Sequence, residues 1–324
     1  MNMSINVKPM LAIAATAVMS CSMIAHAADA PRAAALFTQT VTQGTWDTDG
    51  YAGFKAMAAK EGLKPSYLEN TSYEAAPAAL RQLASDGVKL IIAHSSGYSA
   101  AIKEVAPSFP KTQFVLYSYE GSTGNLPNYS AWSVDWDEYG FVLGALAAAA
   151  SKNGHIAVIG GESIPSSERT MQFIKKGATY VNPKVQVDTA YVGSFVDVAR
   201  AKEIATGIIA RGADFVIPSA DTADAGIQQA ADEEGALTIG SYGDQSKLYP
   251  NSVVTSTVMN FKKSYDDIGK DYVAGKLGNR IVTENLASNG WSLNMPFAHV
   301  DADVQAKVTK VMDDLKAGKI KIEE

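Results

Sequence analysis

The chain has 324 residues, 47% of them hydrophobic, and a formal net charge of -6. That apolar content is ample for two domains. The acidic balance, with no long Lys/Arg cluster, excludes a surface built to neutralise nucleic-acid phosphates.

Residues 1–27 read as an export signal. Lys8 supplies the positive end. The apolar stretch Met10–Ile24 is too short to span a bilayer comfortably, and Ala25-His26-Ala27 has the A-x-A form of a cleavage site. Cleavage after Ala27 is expected, leaving a periplasmic protein that begins at Ala28. Cys21 is the chain's only cysteine. The mature chain therefore has no thiol for disulfides, metal ligation or nucleophilic catalysis. Val18-Met19-Ser20-Cys21 loosely resembles a lipoprotein processing site, but Met19 fits poorly, so lipid anchoring is the lesser reading. No later apolar run approaches about 20 residues, so no transmembrane helix is expected.

The mature chain alternates short apolar runs with helical patterns. The expected elements begin with a strand at Ala33–Phe37, a helix at Tyr51–Lys60 and a strand at Pro65–Glu69. A helix at Glu74–Ser85 follows, with Pro77 tolerable in its first turn. Then come a buried strand at Leu90–His94, a helix at Ser99–Ser108 and a strand at Gln113–Tyr117. The order argues for a parallel sheet covered by helices on both faces. The grammar then restarts. A small-residue helix at Glu138–Ser151 precedes a strand at His155–Ile159 that ends in Gly160-Gly161. Helices are expected at Ser166–Val181, Asp197–Arg211 and Ala223–Glu234. Strands are expected at Gln186–Val192, Phe215–Pro218 and Leu237–Gly240.

A strand at Val253–Val258 and a helix at Lys262–Ala274 remain after the second half. They read as the chain crossing back to complete the first lobe. An irregular segment around Trp291 and a final helix at Ala302–Ala317, with Gly318 past its end, close the chain. The expected lobes are 28–134 plus 247–282 and 135–246 plus 283–324, joined by three short crossovers acting as a hinge.

In open parallel sheets, ligands bind beyond the carboxyl ends of the strands. The loops at those ends contain Gln39, Thr45-Trp46-Asp47, Ser96 with Tyr98, and Ser118 in the first half. In the second half they contain Phe195, Asp221 and Tyr242. They are rich in aromatics, hydroxyls and carboxylates and poor in cations. That suits a flat, neutral, hydrogen-bonding ligand and suits phosphates poorly. Plainer roles stay open. Asp47 or Asp49 can cap the first helix, Asp197 and Asp221 can cap later ones, and Trp46, Phe195 and His94 can be core residues. Three histidines follow the signal, with no HExxH or GxSxG pattern and no pair at metal-ligand spacing. No metal, no cofactor and no enzyme activity are expected.

Ordered landmarks across most of the mature chain resemble the basic membrane protein (BMP) family of substrate-binding proteins of ABC importers. They are GTWDTDGYAGFKAM, IIAHSSGYSAAIKEVAPSFPKTQFVLYS, EYGFVLGALAAAASKNGHIAVIGG, GSFVDVARAKEIATGIIARGADFVI and IGSYGDQSKLYPNSVVTSTV. The resemblance implies an α/β type I periplasmic binding protein fold with two doubly wound parallel-sheet lobes. It implies a purine-like ligand held between two aromatic rings, an ABC permease as partner, and a monomer. By position, Trp46 is the first ring, Phe195 the second, and Asp47 replaces the family's opening-loop Asn.

Three positions depart from the family's nucleoside binders. Ser118 replaces a carboxylate, Tyr242 an Asp and Met259 a Lys. Those groups hold the sugar or base edge, so a free base such as adenine is the better fit. Gly44-Thr45-Trp46 and Asp221-Thr222 are similar to a base-binding subgroup. Asp47, Asp221 and Ser118 are the expected polar partners, with Tyr98 and Tyr242 at the rim. The alternatives are the same fold holding a sugar or signalling molecule, or a ligand sensor docking on a membrane receptor.

Overall fold

The computed structural model describes Met1, residues 30–42 and residues 46–322. The expected signal peptide with Cys21, its cleavage point, and Thr45 lie outside the described residues.

The first half runs β1 (Arg32–Leu36), α1 (Trp46–Lys60), β2 (Lys64–Leu68), α2 (Ala76–Ser85), β3 (Leu90–Ala93), α3 (Ser99–Val105), β4 (Gln113–Tyr117) and β5 (Tyr129–Val134). The second runs α4 (Trp136–Ala150), β6 (His155–Gly160), α5 (Pro165–Val181), β7 (Gln186–Tyr191), α6 (Val198–Ala210), β8 (Phe215–Ser219), α7 (Asp224–Glu234), β9 (Leu237–Gly240) and β10 (Val253–Met259). The chain ends with α8 (Phe261–Val273), β11 (Arg280–Glu284), β12 (Trp291–Leu293) and α9 (Ala302–Lys316).

These strands form two six-stranded sheets, ordered β11-β5-β4-β3-β1-β2 and β12-β10-β9-β8-β6-β7. All pairs are parallel except β10 with β12. The chain passes between the sheets after β5, after β10 and after β11. The structure corrects the expected place of the strand over 253–258. It lies in the second sheet, parallel to β9, and the strand that returns to the first sheet is β11. The segment around Trp291 is also a strand, closing the edge of the second sheet.

The small-residue helix α4 has a steric reason. A Cβ on Gly144 would overlap the backbone of Ile174 in α5, and one on Gly177 would overlap the carbonyl of Phe141 in α4. The two helices thus pack backbone to backbone, which only glycine permits. One apolar cluster runs through both lobes, joining Trp132 and Tyr265 to Tyr139 and Trp291. Two smaller clusters fill the outer face of each sheet.

Candidate functional site

The carboxyl ends of the two sheets face one cavity of about 50 Å³. A water needs roughly 10–15 Å³ by this measure, so the closed cleft holds only a small molecule. The first lobe contributes Thr38 and Gln39 after β1, Trp46 from α1, Ser95 after β3 and Ser118 after β4. The second contributes Ile164 and the first turns of α5, Phe195 after β7, Ser219 and Asp221 after β8, and Tyr242 after β9. Trp136 lines it from the start of α4, just beyond the first crossover. Asp221 is the only charged lining side chain among the described residues.

Trp46 opens α1 and is held by a two-way clasp with His94. The indole Nε1 donates to the His94 carbonyl at 3.2 Å, and His94 Nε2 lies 3.1 Å from the Trp46 carbonyl. The two rings stack at 4.9 Å and 29°. A carbonyl only accepts, so Nε2 carries the proton, and Nδ1 accepts from the Tyr265 hydroxyl at 2.8 Å. Tyr117 also stacks on the imidazole, at 4.9 Å and 19°, and its ring lies 5.8 Å from that of Trp46. Burial pushes the His94 pKa down to about 3, so the ring stays neutral.

Asp47 is 0% exposed and does not line the cavity. Its Oδ2 accepts from Thr38 Oγ1 at 3.0 Å and from the Gln39 backbone N–H at 2.8 Å. Among the described residues no partner reaches its Oδ1. Burial, reinforced by the charge of Asp221, raises its pKa to about 7. The expected ligand contact is thus corrected. Asp47 anchors the Thr38-Gln39 turn from beneath.

Asp221 sits at φ 51, in the left-handed region that Asp tolerates better than most residues. Its Oδ2 accepts from Gln39 Nε2 at 2.7 Å and its Oδ1 from the Trp46 backbone N–H at 3.3 Å. Thr222 Oγ1 donates to Gln39 Oε1 at 3.0 Å. These bonds cross from one lobe to the other. Ser96 makes a second crossing: its Oγ accepts from the Ser166 N–H at 3.2 Å, capping α5 from the opposite lobe. Ser96 thus joins the lobes rather than lining the cavity.

Phe195 packs against Gly161, where a Cβ would overlap its ring. That explains the second glycine of the Gly160-Gly161 pair. Tyr242 adopts φ 64, a strained conformation for a bulky residue, costing on the order of 1–3 kcal/mol. Its N–H is held by Thr257 Oγ1 at 2.9 Å. Tyr98 corrects another expectation. It is fully buried, donates to the Thr71 carbonyl at 2.6 Å and belongs to the first lobe's outer core. Asp197 is an N-cap, accepting from the Arg200 N–H at 3.0 Å. Tyr73, Trp136 and the Ser166-Ser167-Thr170 turn line the cavity without having been singled out in the sequence.

Residues 30–323 match the family model for Bmp, the PnrA-like ABC transporter substrate-binding proteins. The chain belongs to the Bmp family. Among its relatives is the transcriptional activator Med of Bacillus subtilis, 28% identical over 86% of each chain. A purine-binding protein of Brucella abortus is 27% identical over 80% of this chain and 72% of its own. A solute-binding protein of an Aeropyrum pernix ABC transporter superposes with a TM-score of 0.78 at 18% identity, covering 90% of this chain and 92% of that one. At that identity the superposition shows the type I periplasmic binding protein fold alone.

This Bmp protein is therefore the extracytoplasmic substrate-binding component of an ABC transporter, taking up a small molecule and partnering a permease. Its family is one of solute-binding proteins, not enzymes. Among the described residues no helix is long and apolar enough to cross a membrane, and no group of three acidic, Cys or His side chains could hold a metal.

Proposed function

We propose that this Bmp protein, exported to the periplasm, binds a small planar heterocycle in the interlobe cleft and delivers it to an inner-membrane permease. A purine base such as adenine is the ligand, in preference to a nucleoside. The observation that carries the reading is the lining. Trp46 and Phe195 enter the cavity from opposite lobes, and among the described residues Asp221 is the only charge lining it. Flat aromatic faces favour a flat ligand, and hydroxyls and a carboxylate favour a neutral polar edge. A cavity of about 50 Å³ favours a base over the larger nucleoside. Ser118, Tyr242 and Met259 stand where the family's nucleoside binders carry charges, which supports a base. The Brucella relative carries purine binding in its name.

The test is a thermal-shift screen of the protein from Ala28, refolded to strip carried-over ligand, against bases, nucleosides, sugars and amino acids. Ligand at about 100 times its Kd stabilises by about 2.7 kcal/mol, a shift of a few degrees in Tm. A shift with bases and none with nucleosides supports the reading; a shift with sugars alone overturns it. A sensing role is the second reading, because the Bacillus relative is named a transcriptional activator. Ligand-stimulated ATPase activity of the permease complex in proteoliposomes supports transport over sensing.

A further inference from the structure

We propose that the indole N–H of Trp136 is the donor with which the cleft reads its ligand, and that the ligand meets it with a hydrogen-bond acceptor, a ring nitrogen or a carbonyl. This rests on the reading above that the cavity is the ligand site.

Among the lining side chains, those whose polarity is fixed select most strongly. Hydroxyls donate or accept as needed, so they select little. An indole N–H only donates, a carboxylate only accepts, and an amide does one at each end. The Trp46 indole N–H is spent on the His94 carbonyl. Both ends of the Gln39 amide are spent, on Asp221 and on Thr222. Each oxygen of Asp221 already accepts from the opposite lobe. That leaves Trp136. It lines the cavity and is 5% exposed, and among the described residues its Nε1 has no acceptor.

A buried N–H without a partner is rare in folded proteins, and each one calls for an explanation. A bound acceptor supplies it. The placement of Trp136 fits the role. Asp135 caps α4 by accepting from the Glu138 N–H at 3.0 Å, which fixes Trp136 as the first residue of the helix. Its ring is braced edge-on by Tyr139 at 5.4 Å and approached by Trp46 at 5.7 Å. The indole that carries the donor therefore sits on a rigid element beside a principal aromatic ring, at the point where the chain passes between lobes.

The consequence is a rule for selection. Rings of equal size are distinguished by whether they carry an acceptor at the Trp136 position. A site built around a donor rejects an analogue that lacks the acceptor, because closing on it leaves the N–H unpaired. Among purines, one of the ring nitrogens fills this role.

The experiment compares wild type with Trp136→Phe, which keeps a ring and removes the donor. Adenine and its 1-, 3-, 7- and 9-deaza isosteres are titrated by calorimetry against both proteins. The expected result is that one deaza compound binds wild type about tenfold more weakly, the order of one buried hydrogen bond. Trp136→Phe should bind adenine and that same compound alike. Equal loss for every compound, or none, overturns the proposal. A second readout does not depend on purines. Pyridine and benzene are added to ¹⁵N-labelled wild type, and the indole N–H resonances are assigned with Trp136→Phe. Pyridine should move the Trp136 resonance downfield and benzene should not. If wild type binds no purine, the purine reading fails and pyridine still decides the donor. If both solvents move the resonance alike, or neither does, the donor role is overturned.

Discussion

Gln39 and Asp221 meet across the two lobes, with Gln39 Nε2 2.7 Å from Asp221 Oδ2. Gln39 follows the first strand of one sheet and Asp221 the third strand of the other in chain order. Their contact, with Thr222 on the far end of the same amide, joins the lobes directly through protein groups. A hydrogen bond to a charged partner is worth about 1.5–3 kcal/mol net. Gln39→Ala should therefore lower the closed-to-open ratio of the ligand-free protein about tenfold or more. Small-angle scattering would show a larger radius of gyration than wild type without ligand and the same radius with it. An unchanged ligand-free radius would show that the bond does not hold the lobes together.

Asp47 gives the stability of the fold a pH dependence. Its ordinary pKa of 3.8 applies in the unfolded chain, and burial raises it to about 7 in the fold. Between those values the folded state binds more protons than the unfolded one. The stabilising protonated form is fully present below about 3.8 and is lost as pH rises towards 7. Each pKa unit corresponds to about 1.4 kcal/mol. Asp47→Asn keeps an acceptor for Thr38 and Gln39 and removes the titration. Relative to this variant, wild type should lose stability between pH 4.5 and pH 7.5 in urea unfolding. Parallel curves for the two proteins would mean that Asp47 does not titrate there.

How far the sequence reveals these features differs from residue to residue. The alternation of apolar runs and helical periods locates most elements, because burial imposes those periods locally. It locates β10 as a strand but not its sheet, which is decided by pairing with β9, a contact no local period encodes. β5 (YSAWSV) is buried along its whole length and lacks the alternation that marks a half-buried strand. In the site, the aromatic positions of Trp46 and Phe195 are legible from the strand-end loops. Tyr98 is not, since a tyrosine in such a loop can turn inward as readily as into the cleft. Trp136 does have a signal in the sequence. Asp135 and Glu138 have capping-box spacing, which moves the start of α4 from Glu138 back to Trp136.

His94 should act on the cleft through Trp46. His94→Phe retains the stacked ring but strands the Trp46 carbonyl and the Tyr265 hydroxyl, both bonded to the imidazole in wild type. Stability should fall by about 1–3 kcal/mol. In protein labelled with 5-fluorotryptophan, the ¹⁹F resonance of Trp46 should broaden while that of Trp291, far along the chain in β12, keeps its shift. Since the wild-type ring titrates near 3, ligand affinity should show no inflection near pH 6.5. A sharp, unmoved Trp46 resonance in a folded variant would show that the clasp does not set its orientation.

Gly177 tests the frame independently of the cleft. Its Cα faces the Phe141 carbonyl so closely that a methyl group would overlap backbone, which cannot rotate away as a side chain can. Gly177→Ala should force α5 from α4 and cost about 1–3 kcal/mol, several degrees in Tm. The part of α5 that meets the ligand cavity, Ser166, Ser167 and Thr170, lies about two to three turns away. The variant should therefore lose stability and keep its ligand affinity once folded, measured by calorimetry well below its Tm. A matching loss of affinity would mean that the α4–α5 seam transmits to the cleft. Trp136, at the start of α4, would then be the first residue to examine for displacement.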